Sequence, residues 1–74
     1  MDANSLTPTE LEHLRLLRLG LLPREAAKFL SRDVRTVENY RYVVKRKIGA
    51  RAYDVARLEG ERAREGVMLA MAAA

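Results

Sequence analysis

The stretch DVRTVENYRYVVKRKIG, Asp33 to Gly49, limits the possible folds more than any other part of the chain. Val37, Val44 and Ile48 recur at spacings of seven and four, which stacks them on one side of a helix. Arg35, Thr36, Glu38, Asn39, Tyr42, Lys45 and Arg46 project the other way. One face can pack while the other carries guanidinium, hydroxyl, amide and phenol groups. Asp33 precedes the run and can accept from a backbone N–H in the first turn, as an N-cap does. Gly49 falls where a left-handed stop belongs. The expected helix is roughly 22 Å long.

A chain of 74 residues makes one small domain. It contains no cysteine and a single histidine, so neither a disulfide nor a Cys/His zinc cluster supports it. Support must come from tight helix packing or from a second copy. No cofactor or metal is expected. Met1 to Ser5 is not a cationic-then-apolar leader, and the closing VMLAMAAA is too short to cross a bilayer. The expected location is cytoplasmic, with no membrane partner.

The net charge of +4 is unevenly spread. Arg24 to Arg51 holds nine basic side chains against three acidic ones, a net +6. The remainder has five against seven, a net −2. A basic middle between acidic ends points to a polyanion as its partner.

Ahead of the central stretch, Thr7, Pro8 and Glu10 form a helix start. Thr7 can cap, Pro8 suits the first helical position, and Glu10 completes a capping box. That helix should run to about Leu19, with Leu11, Leu14 and Leu17 inward and Gly20 as its stop. His13 reads as a surface or boundary residue, since no second metal-type side chain lies in register. Pro23 opens a shorter helix over Arg24 to Leu30, with Ala26, Ala27 and Leu30 inward. Ser31, Arg32 and Asp33 then lead into the central helix. Two helices joined by three residues, the second capped and cationic, make a helix-turn-helix arrangement. After Gly49 a fourth helix should begin near Ala52. Val55 and Leu58 can pack, whereas the polar stretch 59–66, with Gly60 and Gly66, is expected to fray or stand in solvent. Residues 1–66 form the helix-turn-helix domain. Residues 67–74 are an apolar tail, either an extension of the fourth helix or a loose end. No strand pattern occurs.

With these residues in place, the chain resembles the LuxR/GerE-type helix-turn-helix domain of bacterial transcription regulators. The matching residues are Leu6, Thr7, Pro8, Glu10, Leu14 and Leu17; Gly20 and Leu21; Arg24, Glu25, Ala27 and Leu30; Thr36, Val37 and Asn39; and Val44, Lys47, Ile48 and Gly49. They run in order from Leu6 toward Leu58. The resemblance implies an all-α fold of four helices, the third reading double-stranded DNA and the fourth pairing with its copy in a dimer. It departs from the family at Leu22, Ala26, Arg32, Glu38, Tyr40 and Ala52. Ala26 and Arg32 thin the core beneath the turn, where Phe29 or Val34 is expected to compensate. Glu38 replaces a basic residue and can accept from a cytosine amino group.

The function this implies is sequence-specific regulation of transcription in a bacterium or phage. Base readout falls to Arg35, Thr36, Glu38, Asn39 and Tyr42. Phosphate contacts fall to Arg24, Lys28, Arg41, Lys45, Arg46 and Arg51. Val55, Leu58, Val67 and Met71 are the candidates for a homodimer through the fourth helix and tail. The alternative is a small interaction module that binds and inhibits another transcription regulator. An enzyme is not expected, because the chain has no Ser/His/Asp set and no Gly-rich phosphate loop.

Overall fold

A computed structural model describes residues 5–73. Four helices make up the fold: α1 (Pro8–Arg18), α2 (Pro23–Leu30), α3 (Val34–Ile48) and α4 (Ala50–Ala73). No strand occurs among the described residues.

Local chemistry sets most helix ends. The Thr7 side chain accepts from the Glu10 N–H at 3.1 Å, and the Glu10 carboxylate accepts from the Thr7 N–H at 2.9 Å. α1 closes in a Schellman motif: the Leu21 N–H reaches the Leu16 carbonyl and the Gly20 N–H reaches that of Leu17. Gly20 takes φ +92° there, which a side chain rarely permits. α2 ends in the same way, with Arg32 and Ser31 donating to Ala27 and Lys28. Its left-handed position falls on Ser31, at φ +55°. Leu22 supplies no side-chain acceptor at the start of α2, so only the return bond, Leu22 N–H to Glu25 at 2.8 Å, is made. Asp33 accepts from the Thr36 N–H at 2.7 Å and starts α3. α4 begins at Ala50, two residues ahead of the expected Ala52.

The core is small. Leu16, Ala26, Ala27 and Val37 form its centre, with Leu21 and Leu30 packed against it. Val37 and Val44 are the largest side chains to be wholly enclosed. The two alanines let α2 lie close on α3, so the thin turn is accommodated by approach, not by filling. Phe29 does not compensate for Ala26, since it is 68% exposed, and Val34 also faces outward. On α1 the buried row is Glu10, His13, Leu16 and Leu17, not Leu11, Leu14 and Leu17. The row turns because α3 and α4 both pack on α1 and together cover a broader face.

His13 is therefore not a surface residue. It is buried, stacked on Tyr40 with ring centroids 4.5 Å apart and planes 10° from parallel. Burial pushes its pKa below the ordinary value, and the charges of Arg41 and Arg32 push the same way. Glu10, also buried, accepts from Lys47 at 2.7 Å and ties α1 to the last turn of α3.

The polar stretch 59–66 is neither frayed nor free. Gly60 is buried where α4 crosses the end of α1. A Cβ on Gly60 would overlap the Leu17 carbonyl oxygen, and one on Gly20 would overlap the Gly60 carbonyl. Just beyond the crossing, Arg64 donates to both oxygens of Glu25, at 2.5 and 2.9 Å, and to the Gly20 carbonyl at 3.1 Å. The Arg64 hydrogen bond, followed by that from Leu22, holds the Glu25 carboxyl at about 2. Arg18 and Glu59 pair at 3.1 Å on the same crossing. Helix α4 continues unbroken through Gly66 to Ala73, roughly 36 Å in all. Its last turns overhang the body. The radius of gyration is 12.9 Å, against about 11 Å expected for a compact chain of this length.

Candidate nucleic-acid interface

Val37, Arg41 and Val44 are the buried residues of α3. The side directly opposite carries Arg35, Asn39, Tyr42 and Arg46, at successive spacings of four, three and four. These spacings place the four side chains within about 60° of one another along one line. All four are exposed, Tyr42 by 61%. The line contains two guanidinium groups, an amide and a phenol, and no carboxylate. Arg46 lies 5.9 Å from the centre of the Tyr42 ring, and its Nη1 donates to the Tyr42 hydroxyl at 3.5 Å.

The other sequence-selected residues divide around this line. Thr36 is half-buried on one flank, where its N–H is taken by Asp33. Glu38 and Lys45 stand on the other flank and line a cleft between α3 and α4. Glu38 is thus beside the outward line and not on it. Lys45, Arg46 and Lys47 occupy the last turn of α3, where cations also favour the helix dipole. Lys45 sits 5.8 Å over the Tyr53 ring. Arg24 and Lys28 are exposed on α2, and Arg51 on the first turn of α4.

Arg41 does not belong with the phosphate contacts. It is 8% exposed, and its guanidinium donates to the Leu21 carbonyl at 2.7 Å, bracing the α1–α2 connection against α3. Burial lowers its pKa from the usual arginine value, though a guanidinium remains charged at any ordinary pH. The sequence holds a signal for this, since Arg41 lies four residues after Val37 and three before Val44, the spacing of a core position, but its charge alone reads as a surface contact.

The four dimerisation candidates do not share one face. Val55 and Leu58 lie on the outer side of α4, 53% and 46% exposed. Val67 and Met71 instead extend the inward row of Ala56, Gly60 and Arg64, at spacings of four, four, three and four. They emerge past the end of the body, where with Met68 they border a groove beside Leu19 and Leu21. A straight helix turns by about 100° per residue, so one flat partner cannot cover both pairs. Leu69 comes back to the outer side with Val55 and Leu58.

Among the described residues, no group of three or more His, Cys, Asp or Glu side chains converges to hold a metal ion. No helix there is long and apolar enough to cross a membrane. Compared with protein-family models, with curated proteins and with solved structures, the chain matches none of them.

Proposed function

We propose that this protein is a sequence-specific DNA-binding transcription regulator of the LuxR/GerE helix-turn-helix type. The observation that carries the reading is the outward line of α3, Arg35, Asn39, Tyr42 and Arg46, all exposed and free of carboxylate. A helix held from behind by the other three, with such a line facing out, suits the major groove. Asn39 can pair bidentately with adenine, and Arg35 with guanine. Tyr42 and Thr36 flank them. Arg46, Lys45, Arg24, Lys28 and Arg51 meet phosphates and set the register without reading sequence.

A single module of this size buries little surface on DNA, so affinity calls for a homodimer on a two-fold site. The outer row of α4, Val55, Leu58 and Leu69, forms that dimer in this proposal. Its two-fold sets the reading helices near one DNA turn apart, about 34 Å.

The test is selection from random duplexes with the purified chain, at low and at moderate salt. A two-fold motif, with affinity falling steeply as salt rises, supports the proposal. Enrichment of no motif overturns it. The second reading, an interaction module that blocks another regulator, draws on the apolar side chains Val67, Met68 and Met71, each more than half exposed. Its partner would bind with a weak salt slope, and no duplex would be selected.

A further inference from the structure

A cleft of about 480 Å³ lies between α3, the first half of α4 and the α1–α2 connection. Its volume falls in the range of small-molecule sites. Leu17, Leu21 and Leu22 line it together with the rings of Tyr42 and Tyr53, and Arg41 reaches it from beneath. The charged side chains Glu38, Lys45, Arg57, Glu61 and Arg64 also border it, and Arg41 is the buried cation among them.

The state of that cation is unusual. Buried charges are normally paired, because desolvating an unpaired ion is costly. Arg41 has no carboxylate partner among the described residues; its bond is to the Leu21 carbonyl alone, and its buried Nε has no acceptor. The nearby cations are otherwise occupied. Arg64 is bound to Glu25, Arg57 to Glu61 and Asp54, and Lys45 lies over Tyr53. At the rim, Glu38 forms no ion pair among the described residues and faces the same space.

We propose that this cleft binds a small organic monocarboxylate, its apolar body between Tyr42 and Tyr53 and its charge on Arg41. A carboxylate offers acceptors to the part of the planar guanidinium that borders the cleft, and such charge-assisted bonds are about twice as strong as neutral ones. The aliphatic and aromatic walls select an organic anion over an inorganic one. Glu38 selects a single negative charge over a dianion, which it would repel. The site depends on Arg41 and its surroundings, not on whether α3 reads DNA, and its test contains no DNA.

The test is an amide NMR titration of the full chain with 3-phenylpropionate, with the uncharged 3-phenylpropanamide, and with inorganic phosphate, each to about 10 mM. The carboxylate should saturate, moving the amides of Leu21, Leu22, Tyr42, Tyr53 and Gly60. The neutral amide should bind at least about tenfold more weakly, since it lacks the charge-assisted bond. Arg41→Gln should abolish the difference between acid and amide. Because Arg41 also braces Leu21, Lys45→Glu serves as the second variant: an exposed residue of the rim, it should keep the fold and weaken the acid alone. Equal binding of acid and amide, phosphate binding tighter than the acid, shifts lying outside the cleft, or no saturation by the acid would each overturn the proposal.

Discussion

Gly60 and Gly66 lie in one helix six residues apart, and the same substitution at each should act in opposite directions. In a helix interior alanine is favoured over glycine by about 1 kcal/mol. A Cβ at Gly66 meets nothing within 4 Å, so Gly66→Ala should collect that gain. For a domain of this length it raises the melting temperature by about 4–8 °C. At Gly60 the added carbon overlaps the Leu17 carbonyl oxygen and comes within 3.2 Å of the Gly20 backbone. Neither obstacle can swing aside as a side-chain tip would. Helices α1 and α4 must separate, which loosens Ala56 and Leu17 and draws Arg64 away from Glu25 and the Gly20 carbonyl. Overpacking of this kind costs about 1–3 kcal/mol. With the helix gain subtracted, Gly60→Ala should be destabilised by about 0–2 kcal/mol, a fall of up to roughly 16 °C. Thermal unfolding followed by circular dichroism, at one protein concentration for all three chains, measures both. If Gly60→Ala melted higher than the parent, as Gly66→Ala should, the close crossing of α1 and α4 would be refuted.

His13 is buried with a lowered pKa, so the unfolded chain binds its proton first. Its share of stability is therefore full above pH 6.5 and lost as pH falls from there toward the folded value. His13→Phe, which keeps a ring against Tyr40, should flatten that part of a melting-temperature profile against pH. An unchanged slope would place the acid sensitivity elsewhere. Ser31 holds a left-handed backbone that glycine adopts without strain, so Ser31→Gly should stabilise by about 1 kcal/mol in urea unfolding. On the selected duplex, Asn39→Ala should cost about 1–3 kcal/mol and leave random-duplex binding nearly unchanged, whereas Arg46→Ala should weaken both and reduce the salt slope by about one. Equal loss on every sequence would remove Asn39 from base readout. Leu58→Glu should shift sedimentation toward monomer, while Met71→Glu, on the other side of α4, should not; the reverse pattern would move the dimer contact from the outer row to the overhang.

Much of the fold was legible without tertiary structure because its signals are local. Thr7 with Glu10, Asp33 with Thr36, and the glycines at 20 and 49 act within one turn of the backbone, so residue type and spacing suffice to place them. The exposure of Arg35, Asn39, Tyr42 and Arg46 follows equally from the spacing of Val37 and Val44, since a helix with one buried side must present the opposite one. The positions that failed are those whose partner is far along the chain. His13 depends on Tyr40, Arg41 on Leu21, and Gly60 on Leu17 and Gly20. Gly60 carried a signal that was open to the opposite reading: a helical glycine is a weak point in solvent but a contact point under a neighbour.

The sequence by itself determined four helices, the ends of the first three, and which side of α3 is polar, since hydrogen bonding within a turn and apolar periodicity act over a few residues. Only the tertiary structure decided how those helices cross. It put Gly60 against Gly20, turned the buried face of α1 toward His13 and Leu16, withdrew Arg41 from the surface, and brought Val67 and Met71 onto the side of α4 that borders Leu19 and Leu21. Those outcomes depend on the distance between backbones at a crossing and on the phase of a long helix relative to it. Both are settled by which pair of helices can approach most closely, and that is a property of two segments together.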